Sequence, residues 1–259
     1  MKKNKLSKKN KEFLFGLVFG LVFGLIALLI FTATAGQIDL SKFDPDRLET
    51  IGDIFQETPG QSILTEELSN IPPFDGENAV LFINDNQPTF TQAELSLEDG
   101  YWQTFTNLDT LNRVGQANAM LHRDFMPTEE RGNISNVYPT GWKQKKMTSG
   151  EMLYNRSHLI GYQFTGENDN WQNLMTGTQY MNQVLMKKYE QEVAAYLKAT
   201  NHHVRYRITP YFKDNELVAR GVQMEAQSIE DNDISFNVFL YNVQEDYTID
   251  YVTGQATKE

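Results

Sequence analysis

The sequence has 259 residues, no cysteine and a formal net charge of −11. This length allows one sizeable domain with appendages, and the lack of cysteine excludes disulfide bonds, thiolate metal sites and cysteine nucleophiles. Aromatic residues make up 12% of the chain, which favours a packed globular domain over intrinsic disorder.

The first 35 residues predict a membrane segment. A tail at residues 1–12 contains six lysines, and an uncharged, mostly apolar run follows at residues 13–35. Such a run can cross the hydrocarbon core as a helix, and the lysines before it keep the N-terminus cytoplasmic. We therefore expect a single-pass protein of the cell membrane with an extracellular domain. The motif Ala33-Thr34-Ala35 also fits a cleavage site, so secretion after Ala35 stays open as the alternative.

Three glycines, Gly16, Gly20 and Gly24, recur at a spacing of four within the predicted span. They would leave one helix face small, and small faces allow two membrane helices to pack closely. A homodimer through this face is one interpretation. An ordinary low-complexity apolar span accounts for the same residues at least as well.

Charge is distributed unevenly after the span. Residues 39–100 hold fourteen acidic and two basic side chains, and residues 189–259 hold twelve acidic and six basic ones. Residues 113–188, in contrast, hold nine basic and six acidic side chains. This middle segment is therefore the part of the chain whose charge favours contact with phosphate.

The region after the span is predicted to have an α+β architecture. Residues 36–73 contain scattered acids and several prolines and predict a linker or stalk, whereas residues 74–254 predict the folded domain. A polar loop at 166–173 is followed by one long helix at about 178–199. Strands are predicted at residues 80–83, 101–107, 114–121, 152–154, 204–209, 217–226 and 235–243. Strands on both sides of one long helix are typical of the α+β class.

Five polar residues in the second half of the chain are candidates for one site. His158 follows a predicted strand, and a neutral imidazole is a competent general base near pH 7. Arg156 beside it carries a planar guanidinium, which suits phosphate. On the predicted helix, Asn182 and Glu190 fall near one face and offer the hard oxygens that Mg²⁺ prefers. Asn173 precedes them in the polar loop. Each residue alone has an ordinary structural explanation, so only the ordered set of all of them points specifically to a catalytic site.

The segments 155–168 and 173–183 contain Asn-Arg-Ser-His and Asn-Leu-Met-Thr-Gly-Thr. They resemble the DNA/RNA nonspecific endonuclease family, the ββα-metal nucleases, which includes membrane-bound DNA-entry nucleases. The likeness covers about residues 78–254. It implies a core with a central antiparallel sheet and a long metal-site helix, preceded here by the predicted N-terminal transmembrane helix.

The resemblance also implies a role for each residue of the set. His158 would be the general base and Asn182 the direct ligand of one Mg²⁺ ion, for which Mn²⁺ can substitute. Asn173 would orient the site, and Glu190 would hold the waters of the ion.

The motif Asn-Arg-Ser-His at residues 155–158 departs from the family pattern at two positions. Arg156 matches the arginine of the family motif Asp-Arg-Gly-His, and Arg131 is a further candidate for a phosphate contact. Asn155 stands where the family usually has aspartate, and Ser157 where it has glycine. Asn155 can still accept a hydrogen bond but supplies no negative charge. The electrostatic effect of this replacement on His158 is left open.

The function that the resemblance implies is sequence-nonspecific hydrolysis of DNA outside the cell, with RNA left open as a second substrate. Contacts to phosphate and metal carry no base information, which agrees with a lack of sequence preference. DNA uptake (competence) and degradation of extracellular DNA both fit an extracellular anchor. One alternative is a catalytically weak DNA-binding component of a surface uptake apparatus. Another is a toxin-type effector, which would need a delivery module or a cognate inhibitor.

Overall fold

A computed structural model describes residues 61–63 and 67–259. The predicted tail, the predicted span with its glycines and cleavage motif, and residues 36–60 of the predicted linker lie outside the described residues. Within the described ranges, no helix is long and apolar enough to cross a membrane.

Most of the described residues that form regular structure lie in strands. The eleven strands are β1 (Gln61–Ile63), β2 (Val80–Ile83), β3 (Trp102–Phe105), β4 (Ala117–Leu121), β5 (Tyr154–His158), β6 (Leu174–Thr178), β7 (Val204–Tyr211), β8 (Gly221–Ser228), β9 (Ser235–Tyr241), β10 (Tyr247–Ile249) and β11 (Ala256–Lys258). Seven of them form one sheet in the order β1-β2-β9-β8-β7-β4-β3. All neighbours in this sheet are antiparallel except β1 and β2. The predicted α+β class and central antiparallel sheet are confirmed.

The folded part begins earlier in the chain than the predicted boundary at residue 74. Strand β1 lies inside the predicted linker and pairs in parallel with β2. Ile71 is buried in a cluster with Leu81, Ile83 and Phe239. Isolated apolar residues in a polar, proline-containing segment have no periodicity, so the sequence did not indicate this packing.

The two faces of the sheet differ in character, as β7 illustrates. Val204, Tyr206 and Ile208 alternate along the strand and are fully buried in the main apolar core. Arg207 points to the opposite face, where it donates to Glu225 and to Glu94 of the irregular segment before β3. The apolar face is therefore the one that receives the remaining helix and hairpin.

A hairpin followed by a helix packs on that apolar face. β5 and β6 pair antiparallel with His158 opposite Leu174. A π-helical turn (Met181–Met186) then continues into the helix α2 (Lys187–Ala199), while a short helix α1 (Tyr162–Thr165) lies between the two strands in sequence. The hairpin and the helix both contribute side chains to the core of the large sheet.

The observed hairpin corrects two predicted boundaries. The strand predicted at 152–154 extends to His158, so that residue ends the strand instead of following it. The sequence predicts no strand at 174–178 and a helix that begins at about residue 178. In the structure, residue 178 is the last residue of β6. All five residues of β6 are buried, and such a short buried run has no alternation by which it can be recognised.

Candidate active site

His158 ends β5, and both of its ring nitrogens have partners. Nε2 lies 3.0 Å from the main-chain oxygen of Asn168, and Nδ1 lies 3.1 Å from Nη2 of Arg131. A carbonyl can only accept and a guanidinium can only donate, so Nε2 carries the hydrogen and Nδ1 carries the lone pair. The partners therefore fix one neutral tautomer.

The surroundings of His158 keep its ring uncharged. The side chain is only 7% exposed. Burial and, to a smaller extent, the positive charge of Arg131 lower the pKa of His158 from its usual 6.5 to about 4, although the hydrogen bond to Asn168 acts in the opposite direction. Near pH 7 the imidazole is therefore neutral and able to accept a proton at Nδ1.

Asn173 connects the end of β5 to the start of β6. Its side chain is completely buried, accepts from the main-chain N–H of Ile160 at 2.9 Å and donates to the oxygen of Ile160 at 2.9 Å. Its own main-chain oxygen accepts from Leu159, also at 2.9 Å. These three bonds fix the backbone that follows His158. The predicted orienting residue thus occupies a position from which it can orient the base.

Arg131 and Glu190 place opposite charges beside His158. Arg131 is solvent-exposed apart from its contact with the imidazole, and Glu190 packs against Gly161, three residues after His158. Burial raises the pKa of Glu190 to about 7, and the charge of Arg131 opposes this rise. A carboxyl group with a raised pKa in a cleft is typical of a functional site.

The π-turn changes how Asn182 and Glu190 are arranged. Asn182 lies in the π-turn, and Glu190 lies in the first turn of α2. Eight residues apart on a regular α-helix, the two side chains would be about 80° apart around the axis. A π-turn advances less per residue, so it brings them closer to one face. The prediction that they share a face is consistent with this geometry.

The donor groups of Asn182 and Glu190 suit a hard divalent cation. Neither side chain makes a hydrogen bond to another described residue. An amide oxygen and a carboxylate are oxygen ligands of the kind that Mg²⁺ accepts, and this ion usually keeps several waters. Over the described ranges, no three His, Cys, Asp or Glu side chains form a metal-binding group. The residues therefore fit an ion bound by few protein ligands.

Arg156, predicted to contact phosphate, has its guanidinium engaged by main-chain oxygens of the preceding loop. Its Nε donates to the main-chain oxygen of Val137, and its Nη2 donates to that of Ser135 at 2.8 Å. The guanidinium carbon lies 4.4 Å from the ring centroid of Trp142 and 5.1 Å from that of Tyr138. Arg156 thus fastens the loop before Pro139, and this geometry favours a structural role.

The two departures from the family motif point away from the His158 ring, since side chains alternate along a strand. Ser157 is fully buried beside Gly177, so a larger residue at 177 would collide with its hydroxyl. Within the part of the chain that the structure describes, the buried amide nitrogen of Asn155 and hydroxyl of Ser157 have no hydrogen-bond partner. These positions can therefore act on His158 only through the backbone and packing.

Asn168 is a residue of the site that the sequence did not indicate, although it lies within the segment that resembles the family. Its main-chain oxygen fixes the tautomer of His158. A main-chain contact leaves no trace in residue type, so no sequence signal could have identified it.

Residues 95–230 match the DNA/RNA non-specific endonuclease family. The chain is similar to NucA from Streptococcus agalactiae without metal, with 30% identity and a TM-score of 0.64 over 74% of this chain and 92% of that one. The magnesium-bound form of NucA gives 28% identity and a TM-score of 0.62 over 70% and 89% of the two chains.

A third solved structure resembles the fold alone. The Sda1 nuclease with bound zinc has 23% identity and a TM-score of 0.55, over 61% of this chain and 80% of that one. The matched family segment contains the hairpin, the π-turn and α2, on which the candidate site is built. The chain belongs to the DNA/RNA non-specific endonuclease family and is a metal-dependent nuclease.

Proposed function

We propose that this protein is a membrane-anchored, extracellular endonuclease that hydrolyses DNA without sequence preference, with one Mg²⁺ ion and His158 as general base. The observation that carries the proposal is the state of the His158 ring. It is neutral, Asn168 fixes its tautomer, and its Nδ1 lone pair lies beside the guanidinium of Arg131. A proton acceptor beside a fixed cation is what attack of water on a phosphate anion requires.

In this mechanism Arg131 has two successive partners. Its N–H groups leave Nδ1 of His158 and bind a non-bridging oxygen of the scissile phosphate. The freed Nδ1 then accepts the proton of the attacking water, while Nε2 keeps its hydrogen bond to Asn168. Asn173 is a positioning residue here, because its hydrogen bonds go to the backbone of Ile160.

The proposed metal ligands are Asn182, through its amide oxygen, and Glu190, through waters of the ion. When bound, Mg²⁺ supplies positive charge to the phosphate and to the leaving oxygen. The donor chemistry of the two side chains supports Mg²⁺, and so does the magnesium ion in the similar NucA structure. Mn²⁺ is expected to substitute.

A digestion assay tests the proposal. Purified full-length chain is incubated with duplex DNA, single-stranded DNA and RNA, with Mg²⁺ or with EDTA. We expect Mg²⁺-dependent digestion of DNA that His158→Ala slows about 10²- to 10⁴-fold. His203→Gln, at a histidine whose Nδ1 pairs with Glu230, is the control. Unchanged digestion by His158→Ala would contradict the role of this residue, and no digestion at all would favour the DNA-binding alternative.

The location and biological role need separate tests. The predicted span at residues 13–35 supports an anchored protein, and protease added to intact cells should then remove the domain. Recovery of the domain from the medium would instead indicate cleavage after Ala35. DNA import and degradation of extracellular DNA are separated by transformation efficiency, which falls on deletion of the gene only if the nuclease serves import.

A further inference from the structure

Two aromatic side chains line a cavity of about 300 Å³ beside the β5–β6 hairpin. They are Tyr138 and Trp171, which are 60% and 50% exposed. The other lining residues are Leu108, Asn112, Val114, Pro139, Thr140, Leu174 and Met175. None of the described residues that line the cavity is charged, so its walls are apolar and neutral-polar.

Both aromatic side chains are largely exposed, and the Arg156 guanidinium lies over the ring of Tyr138. Within the described ranges, the hydroxyl of Tyr138 and the indole N–H of Trp171 make no hydrogen bond, and Trp171 stacks on no other ring. Single exposed apolar residues are common on protein surfaces. Two large aromatics on one cavity, with their polar atoms unused, instead indicate a binding surface.

The cavity adjoins the residue that we propose as general base. Leu174 lines it and is the cross-strand partner of His158. Paired residues of antiparallel strands lie about 4.5–5.5 Å apart between Cα atoms. In addition, Trp171 lies three residues after Asn168, whose oxygen binds the His158 ring. A group in this cavity would therefore be a close neighbour of the reacting phosphate.

Internal contacts fix the two loops that carry the aromatics. Arg156 binds the main chain just before Tyr138, and its guanidinium lies over the Tyr138 ring. The loop of Trp171 is fastened to the loop of Leu108 by a hydrogen bond of 3.0 Å from Gln172 to Asn107. The walls are thus held before any ligand arrives, which lowers the entropic cost of binding.

We propose that this cavity binds one base of the nucleic acid, unstacked from its neighbours, next to the scissile phosphate. This inference rests on the proposed function. Stacking on aromatic rings accepts every base, because each base has a π-face, so the site adds affinity without sequence preference. Bases of a duplex are stacked and paired, so the cavity favours single-stranded or locally unpaired substrate.

Binding measurements in EDTA test the inference without cleavage. Full-length chain is titrated against a fluorescent oligothymidylate and against an oligomer of the same length made only of abasic residues. Stacking is worth about 1–3 kcal/mol per base, so the wild type should bind the base-bearing oligomer roughly 5- to 150-fold more tightly. Tyr138→Ala and Trp171→Ala should each reduce this preference, whereas Trp171→Phe should retain most of it.

Tyr101→Ala provides the matched control, because Tyr101 is 46% exposed but does not line the cavity. It should leave the preference unchanged. Thermal unfolding of each variant separates a loss of base binding from a loss of folding, because Tyr138 contacts Arg156 and Tyr101 contacts the Phe125 ring. The inference is overturned if the preference for bases is absent in the wild type or survives in both alanine variants.

Cleavage assays with Mg²⁺ distinguish this inference from the function on which it rests. We expect the wild type to cut single-stranded DNA more efficiently than duplex, and the two alanine variants to lose this advantage mainly through KM. If no nucleic acid is cut, the proposed function fails. If DNA is cut but the variants keep the wild-type ratio of single-stranded to duplex cleavage, only the base-binding site is wrong.

Discussion

His158 owes its properties to three neighbours and not to its residue type alone. The Asn168 oxygen fixes its tautomer, Arg131 lies at its lone pair, and the surrounding core excludes water. Burial and the nearby positive charge both disfavour the imidazolium. A histidine on a surface loop would be partly protonated near pH 6.5, whereas this one stays neutral.

The buried histidine should make folding stability depend on pH. Burial lowers the pKa of His158 from 6.5 to about 4, so between these values the unfolded chain takes up a proton that the folded chain does not. Stability is therefore lost as the pH falls from about 6.5 towards 4. From pH 7 to pH 4.5 we expect a loss of about 2–3 kcal/mol from this group. Urea unfolding of wild type and His158→Gln at both pH values measures it. Equal pH dependence in the two proteins would rule out the effect.

Asn182 allows a second test at the scale of one residue. If its amide oxygen binds the ion, Asn182→Ala should raise the Mg²⁺ concentration for half-maximal activity by at least about 10-fold, with a smaller change in the saturated rate. The neighbouring Gln183 is exposed, so Gln183→Ala serves as control and should leave the Mg²⁺ dependence unchanged. The assignment fails if both variants respond to Mg²⁺ like the wild type.

At the scale of elements, the site is one hairpin joined to one helix. β5 carries His158, the loop before β6 carries Asn173, and the π-turn with α2 carries Asn182 and Glu190. The two strands and the helix share the core of the large sheet, so their relative positions are set by packing. Loss of a contact between these elements should therefore affect stability and catalysis together.

Asn173 is the clearest test of that coupling. Asn173→Ala removes two buried side-chain hydrogen bonds to Ile160 and leaves a buried N–H and carbonyl without partners. We expect it to lower the free energy of unfolding by about 2–4 kcal/mol and to reduce kcat. Gln191→Ala, at an exposed position of α2, is the control. A variant with wild-type stability and reduced kcat would mean that Asn173 contacts the substrate directly.

At the scale of the whole molecule, the net charge of −11 opposes a polyanionic substrate. Several basic residues of the middle segment are also engaged internally. Arg113 binds Asp109 and main-chain oxygens near β8, and Arg156 binds its own loop. Arg131 is exposed beside the site, and among the described residues its guanidinium has a hydrogen-bond partner only in the His158 imidazole. Electrostatic binding of the phosphate backbone should therefore be weak and limited to the surroundings of the site.

The salt dependence of DNA binding measures how many phosphate contacts the protein makes. In EDTA, we expect the logarithm of the affinity for single-stranded DNA to fall with the logarithm of salt concentration with a slope no steeper than about −3. Arg131→Ala should make the slope shallower by about 0.7, the value for one phosphate contact. A slope of about −6 or steeper would show that a larger basic surface than this one contacts the DNA.

Local sequence signals predicted much of the large sheet. Six of its seven strands, including β2 at 80–83 and β9 near 235–243, were expected because short apolar runs bounded by turn residues are typical of strands. β1 of the large sheet and β6 of the hairpin were not expected. β1 has only three residues, and β6 is buried throughout, so neither shows the alternation that identifies a half-buried strand.

The family, the fold class and the residue types of the site followed from the sequence, since they depend on an ordered motif from His158 to Glu190. Which neighbouring groups act on these residues followed from the tertiary structure. It placed Arg131 at the imidazole and fastened Arg156 to its own loop, although Arg156 is closer to His158 in the chain. The reason is physical: a pKa, a tautomer or a cavity depends on neighbours in space, and these come from segments far apart in sequence.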